Sequence, residues 1–129
     1  MKNIPIFFVI IILLTVTNAY AQKSKKDLIL NKALKIEKLI IKNEDITYSL
    51  GSINISETIW LEYDRDGNEI GKANIQEFTN EHIKIKWIFA DNGADVGDVT
   101  VYKYDENDGK MIFNILFDDK EQGFFEATL

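Results

Sequence analysis

The sequence contains no cysteine and one histidine, His82, and these two shortages exclude several kinds of protein. Without cysteine there is no disulfide framework, no thiolate nucleophile and no cysteine zinc site. A single histidine supplies no zinc-ligand set, and no serine stands in a nucleophile-elbow motif. Glycine-rich phosphate-binding patterns are absent as well. We therefore expect a non-enzymatic protein with no catalytic site, no metal ion and no cofactor.

Proline and arginine are equally scarce, with Pro5 and Arg65 as their single occurrences. Because proline cannot donate a backbone hydrogen bond, its absence after Pro5 leaves every later strand free to form a complete ladder. The chain carries 15 basic and 21 acidic residues, for a net charge of −6. Phosphate binding needs clustered lysine and arginine, so we expect no nucleic-acid partner.

The amino terminus has the pattern of an export signal. Lys2 precedes an unbroken apolar run over residues 6–14, and Ala19-Tyr20-Ala21 places small residues at the two positions a signal peptidase requires. The run is shorter than the roughly 20 residues that cross a bilayer, so we expect no transmembrane span after cleavage. The sequence thus predicts a signal peptide at 1–21 and one mature domain at 22–129, secreted or periplasmic in a bacterium.

Charge is distributed unevenly along the predicted mature chain. Residues 22–42 hold seven lysines and two acidic residues, whereas residues 43–129 hold 7 basic and 19 acidic residues. Such an asymmetry is typical either of an interaction arm or of a basic element lying against an acidic sheet of the same molecule. We favour the second interpretation.

The basic segment, residues 24–42, fits an amphipathic helix. At about 100° per residue its apolar side chains gather on one side. Ser24 and Asp27 have the spacing of a capping box at its start. We predict a helix over about 24–42; the competing interpretation makes residues 33–42 a first strand.

After Asn43 the apolar residues alternate with a period of two, which is typical of half-buried antiparallel strands. Asp66-Gly67, Asn92-Gly93 and Asp108-Gly109 punctuate these runs, and such pairs accept the positive φ angles of hairpin turns. The predicted strands are 46–50, 53–63, 69–78, 82–90, 98–104, 110–117 and 123–128. The sequence therefore predicts an α+β, mainly β protein: one helix, then a seven-stranded antiparallel meander that forms a curled sheet or small barrel.

The aromatic residues are the candidate contact residues. The alternation predicts that Trp60, Tyr102 and Tyr104 lie on the outer face, where tryptophan and tyrosine favour contacts with sugars, peptides and proteins. An interior lined by Trp87, Phe89, Phe113 and Phe117 is predicted from the apolar surplus on strands 82–90 and 110–117. Cross-strand pairing that only stabilises the sheet remains an alternative for the outer set.

Acidic turns suggest calcium, but their spacing does not support an EF-hand. Asp64, Asp66 and Asn68 have the one-three-five spacing, yet glycine falls at the fourth position and Ile75 at the twelfth. A weak turn-bound calcium at Asp91, Asp95 and Asp98 stays open beside ordinary solvated turns.

Two functions remain. The first is a small exported binding module that resembles lipocalin-like barrels in architecture and binds an apolar small molecule or an envelope component inside the curl. The second is an acidic protein-interaction or inhibitor module with a solid core, which meets a basic partner protein. The oligomeric state does not follow from the sequence.

Overall fold

The computed structural model describes residues 24–129, whose strands form a single antiparallel sheet. The predicted signal peptide at 1–21 lies outside the described residues. The elements are helix α1 Lys25–Ile29, then strands β1 Lys32–Ile41, β2 Glu44–Asp45, β3 Ser52–Ile55, β4 Ile59–Tyr63, β5 Glu69–Phe78, β6 His82–Ala90, β7 Val99–Asn107, β8 Lys110–Phe117 and β9 Lys120–Thr128, with a 3-10 turn Thr47–Ser49 before β3.

The sheet closes on itself through β1. The first half of β1 pairs with β3, from Lys32 opposite Ile55, and its second half pairs with β9, ending at Ile41 opposite Gly123. Eight strands thus form a closed barrel, and β2 lies outside it as a short hairpin on β1. Closure removes the unpaired strand edges that an open sheet exposes. The prediction of a mainly β protein is confirmed, and of the two predicted forms, a curled sheet and a small barrel, the structure has the barrel.

The predicted helix over 24–42 is wrong beyond its first turn. The helix ends at Ile29, and the competing prediction of a strand over 33–42 is confirmed within one residue at each end, since the observed strand is Lys32–Ile41. The predicted cap is present, because Ser24 Oγ accepts a hydrogen bond from the Asp27 backbone nitrogen at 3.2 Å. Asn31 then has a φ of 59°, which ends the helix and starts the strand.

A bulge explains why β1 resembles a helix in sequence. The register with β9 shifts between Ile36 and Lys38, so Glu37 is an extra residue. Leu34 and Ile36 point inward with a period of two, but the bulge makes Leu39 the next inward side chain. The resulting three-residue step imitates a helical turn, although pairing with β3 and β9 dictates a strand.

Most other predicted strands are confirmed with small changes at their ends. Strands 69–78, 82–90 and 110–117 match β5, β6 and β8 residue for residue. The predicted strand 53–63 is two strands, β3 and β4, separated by a loop in which Ser56 Oγ accepts from the Ile59 backbone nitrogen at 3.0 Å. The predicted strand 46–50 is wrong, since that segment contains the 3-10 turn.

The helix covers one end of the barrel, which we call the closed end. Ile29 is fully buried there. The Lys26 ammonium pairs with Glu57 at 2.9 Å, and its backbone nitrogen donates to Asn80 at 3.0 Å. Lys25 pairs more loosely with Asp105 at 3.5 Å. The basic start of the chain therefore lies against acidic groups of the same molecule.

Stacked aromatic rings fill the barrel above this helix. Phe113 and Phe125 are stacked with centroids 4.4 Å apart, and Tyr104 stacks on Phe113 at 5.7 Å. Trp60 stacks on Tyr102 at 4.4 Å. The predicted outer placement of Trp60, Tyr102 and Tyr104 is therefore wrong: they are 0%, 4% and 3% exposed. The largest side chains occupy the interior because their burial removes the most apolar area from water.

Candidate functional site

The barrel is open at the end opposite α1, and the open end contains a cavity of about 910 Å³. We call it the open-end cavity. The strands β1 and β4 to β9, the segment 46–50 and the loop 91–98 surround it. Its apolar lining consists of Leu39, Ile41, Ile46, Leu50, Ile70, Trp87, Ala94, Ile115, Phe117 and Phe125, and its polar lining includes Glu62, Asn92, Thr100, Tyr102 and Gln122.

Glu62 is the unusual residue of this cavity. It is a carboxyl group on the inner face of β4, only 6% exposed. Its Oε2 accepts from the Trp60 indole nitrogen at 2.9 Å, and its Oε1 accepts from Asn92 Nδ2 at 2.7 Å. Asn92 is held in that orientation because its Oδ1 accepts from the Ala94 backbone nitrogen at 3.0 Å. Burial raises the pKa of the Glu62 carboxyl, while these two hydrogen bonds oppose the rise.

Trp87 forms the wall beside Glu62. Its indole nitrogen donates to the Thr100 hydroxyl at 3.0 Å, which satisfies its polar edge and fixes the ring. Gly71 on β5 makes this arrangement possible, because a Cβ there would lie 2.9 Å from Trp87 Cζ3 and 2.9 Å from Asn92 Nδ2. Any larger residue at 71 would displace the indole or the amide.

Tyr102 and Phe125 form the floor of the cavity. Burial and the nearby Glu62 charge raise the pKa of the Tyr102 hydroxyl well above its ordinary value, so it stays protonated at neutral pH. Tyr102 lines the cavity, and its hydroxyl forms no side-chain hydrogen bond with any residue of 24–129; because no buried side-chain oxygen there lacks a partner, this hydroxyl is accessible to solvent. The Tyr102 hydroxyl is therefore available to hydrogen-bond a molecule in the cavity.

The rim of the cavity is acidic. Asp64, Asp91, Asp95 and Asp98 line it together with one basic residue, Lys42. Hydrogen bonds from the backbone and side chain of Asn68 lower the pKa of Asp64, so this carboxylate is ionised at neutral pH. Within the described part of the chain, no three histidine or acidic side chains lie close enough together to hold a metal ion. The calcium alternative at Asp91, Asp95 and Asp98 gains no support from their placement.

Of the four predicted interior residues, two have their side chains inside the barrel. Trp87 lines the open-end cavity, while Phe113 lies in the aromatic core below its floor. Phe117 stands at the mouth and is 39% exposed. The predicted inward position of Phe89 is wrong, since it is 44% exposed. A bulge causes this, because Phe89 pairs with Lys72 and Trp87 with Ala73, which leaves Ile88 as an extra residue.

Sequence reasoning missed Glu62 and its partner Asn92. The predicted outer placement of Trp60 puts Glu62, two residues later on the same strand, on the outer face as well. A signal was present, since Trp60 and Glu62 share one face of the strand. Choosing the tryptophan face as the inner face predicts a buried carboxyl at 62.

The site defines a class of protein: a small closed antiparallel barrel with a cavity at one end, an architecture compatible with a lipocalin-like binding module. Compared with protein-family models, with curated proteins and with solved structures, the chain matches none. Among residues 24–129, no helix has both the length and the apolar character that a bilayer crossing demands.

Proposed function

We propose that this protein is a binding module, and not an enzyme, that takes one small, largely apolar molecule into its open-end cavity. The observation that carries the proposal is the cavity itself, whose volume of about 910 Å³ lies at the upper end of the range for small-molecule sites. Its mixture of apolar walls and a few fixed polar groups is also the composition of such sites.

Binding is favoured over catalysis by the partners of Glu62. The groups bonded to its carboxyl are an indole and a carboxamide, and neither of these exchanges protons at neutral pH. A general acid or base works best when a neighbouring group takes up or supplies protons, and no titrating side chain is hydrogen-bonded to the Glu62 carboxyl among the described residues. The cluster is suited to orienting a ligand.

The rival function, an acidic interaction module, requires a solid core. The closed end has one, but the open end has a cavity lined by residues from seven of the eight barrel strands. The cavity therefore favours the binding module.

A pair of tryptophan substitutions on one loop tests the proposal. Ala94 lines the cavity, whereas Val96, two residues later, is 66% exposed and outside the lining. We expect a neutral apolar probe, octanol, to bind the unmodified protein in calorimetric titration. Ala94→Trp should weaken that binding by about tenfold or more because the indole fills the mouth.

Val96→Trp is the matched control and should leave the octanol affinity unchanged within about twofold. Equal affinity in the two variants would contradict a site in the open-end cavity. Failure of octanol and of charged octyl probes to bind the unmodified protein would contradict the function as a whole.

We also propose that the protein works after export, as the amino-terminal pattern predicts. Cell fractionation followed by mass analysis of the purified protein should give a chain that begins at Gln22 outside the cytoplasm. An uncut chain in the cytosol would contradict this location.

A further inference from the structure

The chemistry of the ligand follows from the polar atoms that remain unused in the open-end cavity. The Glu62 carboxylate accepts one hydrogen bond at each oxygen, from Trp60 and from Asn92. When this carboxyl is ionised, as an ammonium partner favours, it offers about four acceptor positions, so about half of them stay free. Because Glu62 lines the open-end cavity, a hydrogen-bond donor that enters the cavity can use this free capacity.

The Tyr102 hydroxyl is the second unused group. The side chain is 4% exposed, its ring is held against Trp60, and its hydroxyl opens onto the cavity without a partner among residues 24–129. Among residues 24–129 no fully buried side-chain oxygen lacks a partner, so this hydroxyl is reachable from solvent and free to hydrogen-bond a ligand. Because a hydroxyl also accepts, it can share a donor group with Glu62.

The charges around the mouth select the sign of the ligand. Four aspartates and Glu62 line the open-end cavity, against Lys42 as the basic residue in the same lining. Acidic groups around an apolar pocket focus a negative potential into it, which attracts cations and repels carboxylates. A fatty acid is therefore a poor fit, although the apolar walls suit its chain.

A bare metal ion fits no better. The described residues contain no cluster of three acidic or histidine ligands, and most of the lining is apolar. Calcium takes six to eight oxygen ligands and magnesium six, far more than Glu62 and Tyr102 supply together. The positive charge therefore belongs on an organic molecule whose remainder is apolar.

We propose that the ligand is an amphipathic organic ammonium ion whose nitrogen binds between Glu62 and Tyr102 and whose apolar part lies against the walls of the open-end cavity. This inference rests on the proposed function, because it names the ligand class of the same site. Trp87 and Phe125 supply aromatic surface beside the ammonium position, and the aliphatic wall residues contact the apolar part.

Three probes with one octyl chain and different head groups test the inference by calorimetric titration: octylammonium, octanol and octanoate. The unmodified protein should bind octylammonium about tenfold more tightly than octanol, and octanoate most weakly. Glu62→Gln should reduce the octylammonium affinity by about tenfold or more and should reduce the octanol affinity by a clearly smaller factor.

Glu126→Gln is the matched control, because Glu126 lies on the outer face of β9 between the buried Phe125 and Ala127. It should leave all three affinities unchanged. Should Glu62→Gln fail to fold, Tyr102→Phe keeps the ring and removes the hydroxyl; it should lower the octylammonium affinity several-fold more than the octanol affinity.

The outcomes separate the inference from the proposed function. Octanol binding as tightly as octylammonium, or Glu62→Gln leaving the octylammonium affinity unchanged, would overturn the ammonium assignment and leave a binding cavity in place. Binding of none of the three probes would overturn both.

Discussion

Aromatic side chains occupy both ends of the barrel, but they fill the core at the closed end and line a cavity at the open end. At the closed end, Phe113 is fully buried between the rings of Phe125 and Tyr104, and α1 covers the strands. At the open end, Trp87 and Phe117 have one side toward a cavity. The buried Glu62 carboxyl and the part-buried Asn92 amide occur at the open end, where α1 does not reach. The comparison shows that tight packing at the closed end stabilises the fold, whereas the cavity and the buried carboxyl at the open end are destabilising.

The largest difference should come from removing a phenyl ring at each end. Phe113→Ala leaves a void among stacked rings and should lower the free energy of unfolding by about 3–5 kcal/mol. Phe117→Ala removes a 39% exposed ring at the mouth and should cost about 0.5 kcal/mol or less. Urea unfolding measures both. Equal losses of unfolding free energy in the two variants would contradict the view that the closed end is packed more tightly than the open end.

A methyl group at Gly71 should damage the open end specifically. The added Cβ of Gly71→Ala meets Trp87 and Asn92, and such overpacking costs about 1–3 kcal/mol. Tryptophan fluorescence should shift because the Trp87 ring moves. The double variant Gly71→Ala with Asn92→Ala lacks the amide that the new methyl group would meet. It should therefore lose less unfolding free energy than the sum of the losses in the two single variants. Strict additivity would show that the amide is not displaced.

The buried carboxyl should make stability depend on pH. Because the pKa of Glu62 is raised, the folded protein retains this proton to a higher pH than the unfolded chain does. From about pH 4.3, the ordinary glutamate pKa, up to the raised pKa, the free energy of unfolding therefore falls as the pH rises. The fall amounts to about 1.4 kcal/mol for each pKa unit of the shift.

Comparison with Glu62→Gln isolates this effect, since the other titrating groups are common to both proteins. The stability of the unmodified protein relative to the variant should decrease with rising pH and then level off. A difference that stays constant between about pH 4 and pH 8 would contradict the assignment.

The smallest effect should come from the tether between α1 and the closed end. Lys26→Ala removes the ion pair with Glu57 and the contact of the ammonium with the Phe78 ring, whose centroid lies 4.6 Å away. Both contacts are partly exposed, so we expect a loss of about 0.5–1 kcal/mol in urea unfolding. Lys120→Ala, an exposed change on β9 at the open end, is the control and should cost less.

Turns and isolated strands were predictable because their causes are local. Asp108 and Gly109 have φ angles of 51° and 76° and form the two-residue connection between β7 and β8, as their residue types predict. Asn92-Gly93 was also predicted as a tight turn, but it lies in the longer loop 91–98, whose Asn92 side chain reaches Glu62 instead.

The site was less predictable because its causes lie in contacts between distant strands. A strand pattern with apolar residues on both faces, such as 59–63, does not say which face is inside. Here Tyr102 on β7 stacks on Trp60 and so turns Glu62 inward as well. Bulges at Glu37 and Ile88 shift the alternation again, and they depend on pairing with β9 and β5.

The sequence by itself determined a mainly β protein, the positions of most strands and the cap at Ser24, because alternation, turn residues and capping act over a few neighbouring residues. Only the tertiary structure decided that the sheet closes through β1, that the aromatic rings of Trp60, Tyr102 and Tyr104 lie inside, and that a carboxyl is buried beside a cavity. Those outcomes depend on which strands pair with each other. A strand with apolar residues on both faces can turn either face inward, and side-chain volume and hydrogen bonding across the barrel decide between the two.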